Sequence, residues 1–538
     1  MPDVVIDPLS GPRFGVHGRV VTMNDDHEVV ATGTVWVEAG VIRAVTPDGR
    51  QPPEGFDDVP VLRTGGTIFP GLIELHNHLP YNVLQMWAVP QLYGNRGQWG
   101  SHDDYRRLVS GPMKVLGKTA GYIEAVIRYV EVKALVAGVT TSQGVALYSN
   151  ANTRRYHRGL VRNVEETNDP DLPEADTRVG DVEAESAASF LARLEKGKRI
   201  VLHLAEGLDE TARSHFEALQ VSRSKWAITD ALVGIHAAAL TGDDFEIFGA
   251  RGGSMVWSPA SNLMLYGGTA RVDLARDSGV TVALGSDWAP TGSKNLLGEL
   301  KVARAVARSR GWDLDDRDLV DMVTRSPAQA IGWDRALGSI EPGKRADLIA
   351  VYGRQDRDPY RQLIEATERS VVLVVINGVP RYGQTRFITA EAEEIRVGGS
   401  SRRLYLEQES TDPIVDGISF AEAIDRLEDG MSRLVELAED LEALGATRSG
   451  APSTALGIPR GGERWVIELE EESPNATPIG PEPVDADRPL DLGPVRGEKL
   501  SEILGPLELD PLTMLDDPGY ARRLRDQANI PEDVAALL

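Results

Sequence analysis

An α/β fold with a (β/α)8 TIM-type barrel at its centre is the fold class that the sequence predicts. Short apolar runs separated by helix-length stretches fill the middle of the chain, as in parallel strands joined by helical crossovers. Strand-like segments lie on both sides of this region, and a long acidic segment follows them. We therefore expect a first β-sandwich part (1–66), a barrel (67–334), a second β-sandwich part (335–396) and a mostly helical C-terminal extension (397–538).

The two flanking segments are predicted to form one small β-sandwich domain. Residues 14–66 contain short strand-like runs, such as 19–23 and 33–38, with turn residues between them. After the barrel region, residues 337–349 lead back into strand-like runs such as 371–375. We expect these later strands to join the N-terminal ones.

Seven apolar runs in the central region are predicted barrel strands, because each ends in polar or Gly/Pro residues. They lie at 67–78, 138–144, 159–165, 200–206, 231–237, 254–259 and 280–287. A further strand, fourth in chain order, is placed near 177–182. The stretch 145–199 is short for two strand-helix units, since one unit takes roughly 30 residues.

The extension beyond residue 397 contains one long predicted helix, with a capping box at Ser419 and Glu422 and a stop at Gly445. Apolar side chains repeat on one face of this helix, at Ile424, Leu427, Met431, Leu434, Leu437, Leu441 and Leu444. Residues 471–495 are predicted to be an extended linker before a short helix near 520–529. The apolar face indicates a core or subunit contact, and we expect a homo-oligomer.

Charge and composition restrict the classes of partner. The 538 residues carry 57 Lys plus Arg against 82 Asp plus Glu, a formal net charge of −25. This charge repels phosphate backbones and anionic membranes, so neither nucleic acid nor membrane is an expected partner. There is no cysteine, so a metal site must use nitrogen and oxygen ligands. Without a secretory pattern or an apolar run of roughly 18 residues, we expect a cytoplasmic enzyme for small molecules.

Two histidines end the first predicted barrel strand. The apolar run 67–78 finishes in His76-Asn77-His78, and positions i and i+2 of a strand share a face. Both imidazoles can therefore point into the mouth of the barrel. TIM-type enzymes place their chemistry there, at the carboxyl ends of the strands.

Three later runs end in further candidate ligands, which are His203, His236 and Asp287. The intervals are 125 residues from His78 to His203, 33 to His236 and 51 to Asp287, with the 254–259 run inside the last interval. At roughly 30 residues a unit, these side chains fall on strands one, five, six and eight. Imidazoles and a carboxylate at neighbouring strand ends are suited to a divalent ion with an open water position.

These motifs resemble the amidohydrolase superfamily. The resemblance rests on the strand ending His-x-His, the later His, His and Asp, and a Gly-x-Ile-x-Pro-Gly-Lys-x-Ala-Asp-Leu segment at 338–348, and it covers roughly 15–395. Within the superfamily, His203-Leu-Ala-Glu206, the segment 258–263 and Leu284-Gly285-Ser286-Asp287 most resemble the branch of cytosine, guanine and S-adenosylhomocysteine deaminases and triazine hydrolases.

The resemblance implies one divalent metal ion per subunit, held by His76, His78, His203, His236 and Asp287. Relatives with two ions usually bridge them with a carboxylated lysine at the end of a middle strand. The lysines between the first and fifth strands all lie outside apolar runs; they are Lys114, Lys118, Lys133, Lys196 and Lys198. Zinc is the first expectation for the ion, with iron and manganese as alternatives.

The expected reaction is hydrolysis of a non-peptide carbon-nitrogen bond, with deamination of an N-heterocycle as the preferred form. A bound divalent ion lowers the pKa of water to about 7, and Asp287 would accept the water proton. Glu206 would carry a proton to the leaving nitrogen, and His236 is the ligand most open to a second role at the substrate. An amide, urea or carbamate hydrolase and a catalytically inactive assembly protein are the alternatives.

Candidate substrate contacts come from two loops and one helix. The loop after His78 is long and aromatic and contains Trp87 and Trp99, which either line the substrate pocket or pack the loop onto the barrel. Trp288 follows Asp287 directly. Asn262 lies in the segment 258–263 that resembles the deaminase branch.

Overall fold

The structure is a computed structural model that describes residues 13–144, 146–149, 154–156, 159–167, 169–177, 186–407, 417–448, 465–467 and 499–538. The described strands are β1 (Arg13–Val21), β2 (Val29–Glu38), β3 (Val41–Pro47), β4 (Val61–Pro70), β5 (Leu72–Glu74), β6 (Val139–Ser142), β7 (Ala146–Ser149), β8 (Arg154–Tyr156), β9 (Arg162–Asn163), β10 (Ile200–Leu204), β11 (Leu232–His236), β12 (Ser254–Trp257), β13 (Thr281–Leu284), β14 (Leu348–Val351), β15 (Val371–Ile376), β16 (Val379–Gly383), β17 (Glu393–Val397), β18 (Ser400–Leu404) and β19 (Trp465–Ile467).

The described α-helices are α1 (Arg96–Trp99), α2 (Asp103–Tyr105), α3 (Gly111–Lys118), α4 (Ile123–Val136), α5 (Ala187–Leu194), α6 (Glu210–Glu217), α7 (Gly242–Gly249), α8 (Pro259–Tyr266), α9 (Val272–Asp277), α10 (Leu296–Arg310), α11 (Asp316–Asp321), α12 (Arg325–Ala330), α13 (Pro359–Ile364), α14 (Phe420–Ser432), α15 (Leu434–Arg448), α16 (Leu500–Ile503), α17 (Tyr520–Arg525) and α18 (Glu532–Ala535). Turns of 3-10 helix lie at Leu79–Val83 and Glu368–Ser370, and a π-helical turn lies at Arg106–Ser110. None of these described helices is both long enough and apolar enough to cross a bilayer.

Strands from both flanks of the central region share one nine-stranded sheet, in the order β17-β18-β16-β15-β14-β4-β1-β2-β3. The two flanks meet where β4 pairs antiparallel with β14, with Ile68 opposite Ala350. Phe14, Val16 and Val375 belong to the apolar cluster of this sheet and are fully buried. The flanking strands therefore do come together, while the domain boundaries given above stay a prediction.

The central region contains two parallel sheets. One has the order β10-β11-β12-β13 and the other β5-β6-β9, and helices α7 and α9 lie in the connections between strands of the first. Parallel β-bridges link the two sheets on both sides, between Asn77 and Asp287 and between Asp176 and Ile200. The carboxyl ends of strands from both sheets therefore lie close together.

The apolar run 67–78 is divided between two sheets, although the sequence pattern predicts a single strand. Its first part belongs to β4 in the nine-stranded sheet, and its second part is β5, which pairs parallel with β6. Gly71 lies between them, and a Cβ atom there would lie 2.2 Å from Oγ1 of Thr140. A side chain at position 71 would collide with Thr140 of β6, so glycine suits this close approach. The chain passes from one sheet to the other at Gly71.

The fourth predicted strand lies mostly outside the described residues, since of 177–182 only Thr177 is described. The residues that bridge β9 and β10 come just before it. The amide of Ala175 donates to the carbonyl of Val164 at 3.0 Å, and the amide of Val201 donates to the carbonyl of Asp176 at 2.8 Å. These described residues lie just before the predicted segment, and the strand at 177–182 stays a prediction.

The single long helix predicted in the extension is two helices, α14 and α15, which meet at Arg433 with φ −111° and ψ 18°. The predicted N-terminus is correct, because the Ser419 hydroxyl accepts from the amide of Glu422 at 3.1 Å. The reciprocal half of the capping box is wrong: Glu422 pairs with Arg426 instead. The predicted stop at Gly445 is also wrong, because α15 continues to Arg448. The predicted linker at 471–495 lies outside the described residues.

The last 40 residues, 499–538, pack on the carboxyl-end side of the parallel sheets. The amide of Asp510 donates to the carbonyl of Val83 at 2.9 Å, and the Gln527 side chain donates to the carbonyl of Trp87 at 3.2 Å. The predicted helix at 520–529 is shorter, since α17 ends at Arg525. This terminal segment holds the loop that follows β5.

Candidate active site

Five side chains that end parallel strands converge on one point. His76 and His78 follow β5, His203 lies in β10, His236 is the last residue of β11, and Asp287 follows β13. The ends of β5 and β13 are joined directly: the amide of Asp287 donates to the carbonyl of His76 at 3.0 Å, and the amide of His78 donates to the carbonyl of Asp287 at 2.7 Å. All five predicted ligands are thus brought to one edge of the sheets.

The distances between these side chains are those of a metal-binding cluster. Ligand atoms of His76, His203 and His236 lie within 4.8 Å of one another, and so do those of His76, His78 and Asp287. Nε2 of His76 lies 3.0 Å from Oδ1 of Asp287, and Nε2 of His78 lies 3.4 Å from it. His76 is common to both groups and therefore occupies the centre of the cluster.

Backbone conformation at the strand ends is unusual. Ala205, His236, Ala237 and Asp287 have positive φ angles, of 49°, 66°, 50° and 63°. Non-glycine residues seldom adopt this left-handed region, and such positions concentrate at functional sites. Two of the five candidate ligands are thus held in a conformation that the surrounding structure must impose.

The protonation states suit metal ligands. Burial lowers the pKa of His78 to about 4, and burial lowers the pKa values of His203 and His236 well below the ordinary imidazole value. Burial opposes ionisation of Asp287, but the surrounding imidazoles lower its pKa below the usual carboxyl range. Neutral imidazoles beside an ionised carboxylate are the ligand forms that a divalent cation requires.

The surroundings of His76 also indicate whether a metal ion fits this cluster. Its side chain is fully buried, its Nε2 lies 3.0 Å from Oδ1 of Asp287, and its Nδ1 makes no hydrogen bond to any residue that the structure describes. Buried polar atoms are nearly always partnered, so an imidazole with an unpartnered nitrogen at the centre of such a cluster is suited to bind a metal ion. A divalent cation fits these donors, which are the nitrogen and oxygen set that a cysteine-free chain can offer.

His236 is oriented by a chain of hydrogen bonds from α8. Nδ2 of Asn262 lies 2.9 Å from Nδ1 of His236, and the Thr269 hydroxyl donates to Oδ1 of Asn262 at 3.1 Å. Nε1 of Trp257 donates to that hydroxyl at 2.7 Å. The amide of Asn262, a predicted substrate contact, is therefore directed at His236, and this fixes which ring nitrogen faces the cluster.

Glu206 lies beside the cluster. Its side chain is 2% exposed, and its Oε2 lies 3.7 Å from Nε2 of His236. The Tyr266 hydroxyl donates to Oε1 of Glu206 at 2.7 Å. Burial raises the pKa of Glu206 to about 7, although the positive charge of Arg96 acts to lower it. A carboxyl group that titrates near neutral pH is suited to accept and deliver protons.

A second layer of polar side chains holds the strand ends in place. Asn77, between two candidate ligands, accepts from the side chain of Asn82 at 2.9 Å and donates to Ser286 at 3.1 Å. The amide of Ser286, which precedes Asp287, donates to Glu74 at 2.8 Å. These bonds fix the junction between β5 and β13.

The predicted aromatic residues form a buried wall next to the cluster. The ring centroid of Trp288 lies 5.2 Å from that of His78 and 5.9 Å from that of Trp99. Trp87 is farther out, with its ring 5.9 Å from Tyr105. All three tryptophans are nearly inaccessible to solvent. The structure thus brings them together, and their contact with substrate stays a prediction.

Two residues near the site were not predicted from the sequence, and only one of them has a recognisable sequence signal. Tyr266 lies four residues after Asn262 on α8, so both side chains face the same way, toward Glu206 and His236. Arg96 follows the N-cap residue Asn95 of α1, and its amide donates to the carbonyl of Glu206 at 3.3 Å. Helix periodicity points to Tyr266, whereas Arg96 depends on the path of a long loop.

Comparison with known proteins agrees with this geometry. A model of the amidohydrolase family matches residues 67–381, more than half of the chain. The chain belongs to the amidohydrolase family. This amidohydrolase is 25% identical over 430 residues to a 5-methylthioadenosine/S-adenosylhomocysteine deaminase of Moorella thermoacetica, covering 73% of this chain and 96% of the relative. A deaminase of the same name from Syntrophobacter fumaroxidans is also 25% identical, over 71% of this chain and 95% of the relative.

Solved structures establish the fold of this amidohydrolase. An adenosine deaminase from Xanthomonas campestris with bound zinc has a TM-score of 0.56 at 20% identity, covering 81% of this chain and 99% of that one. A guanine deaminase from Bradyrhizobium japonicum has a TM-score of 0.53 at 17% identity, covering 69% of this chain and 100% of that one. The predicted TIM-barrel-type α/β fold is thereby confirmed.

Proposed function

We propose that this amidohydrolase is a metal-dependent deaminase that hydrolyses a carbon-nitrogen bond of an N-heterocycle. The observation that carries the proposal is the convergence of four imidazoles and the Asp287 carboxylate around one point, with the Glu206 carboxyl beside them. Relatives named as deaminases of adenine-type heterocycles match most of their own length to this chain. Both kinds of evidence support the same class of reaction.

The residues that would hold the ion are His76, His78, His203, His236 and Asp287. We propose one divalent ion per subunit, with zinc first and iron or manganese as alternatives, because the ligand set suits all three. Three of the similar structures are described with zinc. When bound, such an ion lowers the pKa of a coordinated water to about 7 and makes it a nucleophile near neutral pH.

The two carboxyl groups have different roles because their surroundings differ. Asp287 has a lowered pKa and lies among the candidate ligands, so it is ionised and can accept a proton from the attacking water. Glu206 has its pKa raised to about 7, so it can hold a proton and pass it to the leaving nitrogen. The imidazole of His236, oriented by Asn262, faces the same space and can polarise the substrate.

The aromatic wall is the proposed binding surface for the heterocycle. Trp288 lies next to Asp287 in the chain and next to His78 in space, so a flat ring placed against it would lie near the reacting centre. Trp99 and Trp87 extend the wall away from the cluster. Asn262 is assigned to His236 rather than to the substrate, because its amide is already used there.

Finer features of the architecture belong to the same proposal. We infer that the two parallel sheets close into an eight-stranded barrel, since bridges at Asn77–Asp287 and Asp176–Ile200 join them on both sides. We also propose that the chain forms a homo-oligomer and works in the cytoplasm. The apolar face of α14 and α15 is packed against the barrel helices α4 and α3 in the described part of the chain, so an oligomer would use another surface.

The test is a screen of aminated heterocycles, ureas and amides with the metal-loaded enzyme, comparing wild type with Asp287→Asn. Ammonia release from an aminated heterocycle is expected, with kcat about 10² to 10⁴ lower in the variant because the base is lost. Asp230→Asn changes an exposed carboxylate and serves as the control. Release of a larger amine would favour the amide or urea hydrolase, and activity unchanged in Asp287→Asn would refute the mechanism.

A further inference from the structure

A chain of three buried side chains leads from the aromatic loop to the proposed proton carrier. Nε1 of Trp99 donates to the Tyr266 hydroxyl at 3.0 Å, and the Tyr266 hydroxyl donates to Oε1 of Glu206 at 2.7 Å. Trp99, Tyr266 and Glu206 are 2%, 4% and 2% exposed, so bulk water does not compete strongly for these bonds. Each donor is therefore committed to the next group along the chain.

The two oxygens of Glu206 have different environments. Oε1 accepts from Tyr266, whereas Oε2 is buried and makes no hydrogen bond to any described residue. Oε2 lies 3.7 Å from Nε2 of His236, on the side of the candidate ligands. A buried carboxylate oxygen without a partner, beside a reacting centre, is available to a group that arrives with the substrate.

Helix α8 fixes this arrangement relative to His236. Asn262 and Tyr266 lie one helical turn apart on α8, and they bind Nδ1 of His236 and Oε1 of Glu206, respectively. One rigid element thus sets the positions of both groups. A small shift of α8, or loss of one hydroxyl, would change the distance from Oε2 to the substrate nitrogen.

We propose that Tyr266, itself held by Trp99, is a positioning residue that makes Oε2 of Glu206 the oxygen that delivers the proton to the leaving nitrogen. The inference rests on the proposed function, because it deepens the role given there to Glu206. Tyr266 occupies one oxygen and holds the plane of the carboxyl group. The other oxygen is thereby directed at the substrate.

In the proposed step, water attacks the ring carbon that bears the amino group, a C–O bond forms as the adjacent C=N electron pair moves to the ring nitrogen, and Asp287 accepts the proton released by the water. Oε2 of the protonated Glu206 gives its proton to the amino nitrogen as the C–N bond breaks and the ring C=N bond re-forms, and the bonding electron pair leaves with ammonia. The remaining O–H proton moves to the ring nitrogen as the carbonyl forms, and the proton on Asp287 returns to Glu206. Tyr266 keeps its own proton throughout and donates it in the hydrogen bond to Oε1.

The experiment is a double-mutant cycle of Tyr266→Phe and Glu206→Gln in the metal-loaded enzyme. Tyr266→Phe alone is expected to lower kcat about 10- to 100-fold, with KM and metal content unchanged, since only the hydrogen bonds of the Tyr266 hydroxyl to Glu206 and from Trp99 are lost. In the Glu206→Gln background, Tyr266→Phe is expected to cause no further loss. Tyr382→Phe removes a buried phenol of the nine-stranded sheet and is the matched control.

A second measurement separates positioning from a general structural effect. If Tyr266 directs proton delivery, Tyr266→Phe loses most activity on substrates with a strongly basic leaving amine and little on substrates whose leaving group departs without a proton. A structural defect would lower both rates equally. Trp99→Phe, which removes only the outer donor, is expected to show the same selectivity with a smaller loss.

The failures of the two proposals are distinguishable. Equal losses from Tyr266→Phe in the wild-type and Glu206→Gln backgrounds, or no loss in either, would overturn the role of Tyr266 while leaving deamination intact. Full activity of Glu206→Gln would overturn the proposed proton carrier, and with it the role of Tyr266. If Tyr266→Phe does not fold, the same criteria are applied to Trp99→Phe in the two backgrounds.

Discussion

At the scale of single residues, the burial of Glu299 sets the pH dependence of folding near the site. Glu299 is fully buried on α10, and its Oε1 accepts from the amide of Ala260 at 2.9 Å. Burial raises its pKa to about 8, well above the value of about 4.5 expected in the unfolded chain. The folded state therefore binds this proton more tightly, and stability falls as pH rises from about 4.5 through 8.

Glu299→Gln is predicted to remove this loss. Glutamine keeps the oxygen that accepts from Ala260 but cannot ionise. The variant should therefore gain stability relative to wild type between pH 5.5 and 8.5, by on the order of a few kcal/mol. The measurement is the melting temperature of both proteins across that range. Glu217→Gln, at an exposed position of α6, is the control, and parallel curves for wild type and Glu299→Gln would contradict the prediction.

The sequence predicts residues that a local pattern marks, and it misses contacts between residues that are far apart in the chain. The five candidate ligands follow from strand runs that end in His or Asp, because alternation along a strand is a local property. Tyr266 and Glu206 are 60 positions apart, and their hydrogen bond depends on how α8 packs. The residue types alone do not reveal such a contact.

At the scale of elements, the chain segments that follow β5 and β13 lie very close to each other at the site. A Cβ atom at Gly285 would lie 2.6 Å from Cβ of His76 and 2.9 Å from its carbonyl oxygen. The backbone of His76 cannot move away from such a Cβ atom without displacing the His76 imidazole, which is a candidate metal ligand. The close approach of these two strands is thus a condition for placing His76 against Asp287.

Gly285→Ala is predicted to abolish metal binding and activity and to destabilise the fold by about 1–3 kcal/mol, as overpacking does. Metal content after purification and the unfolding midpoint measure the two effects. Gly242→Ala is the matched control, since its nearest neighbour to the added carbon is 3.7 Å away. A Gly285→Ala enzyme with full metal content would show that the strands can separate without cost.

The limits of pattern reading at this scale are visible in two elements. The run 67–78 is uniformly apolar, so periodicity alone could not show that Gly71 divides it between two sheets. On the predicted helical face, Leu427 to Leu441 are buried where the structure describes their side chains, but the break at Arg433 is not marked by proline or glycine at that position. Both features arise from packing against distant segments.

At the scale of the whole molecule, the terminal segment 499–538 packs against the elements and loops that surround the candidate site. Asp510 is 2% exposed and forms ion pairs with Lys133 of α4 and with Lys294, whose Nζ lies 2.7 Å from Oδ2 of Asp510. Lys294 also pairs with Asp517 at 3.1 Å. Lys133 further donates to the carbonyl of Asn82 at 2.7 Å, in the loop after β5. Two buried lysines thus depend on carboxylates supplied from the end of the chain.

Asp510→Asn is predicted to destabilise the protein by about 3–5 kcal/mol, because it leaves buried ammonium groups without a full counter-charge. The unfolding midpoint in urea measures this loss. Asp356→Asn is the control, since Asp356 pairs with Arg354 on an exposed surface and such pairs contribute little. An Asp510→Asn midpoint equal to that of the control would contradict the account.

The packing of the terminal segment 499–538 against the rest of the molecule could not be predicted from the sequence. Lys133 and Asp510 are separated by 377 positions, and the segment between them includes residues that the family pattern does not cover. The sequence pattern identifies the terminal residues only as an acidic extension with short helices. The three-dimensional contacts are what connect them to the loops around the site.

The metal content of the purified full-length protein is the measurement that tests the central claim most directly. If the five side chains at the strand ends hold one cation, elemental analysis should find about one divalent ion per chain in wild type and almost none in His76→Ala, since His76 belongs to both groups of ligand atoms. His215→Ala, on α6, should retain the ion. A wild-type protein that hydrolyses its substrate at full rate without any bound divalent ion would contradict the account.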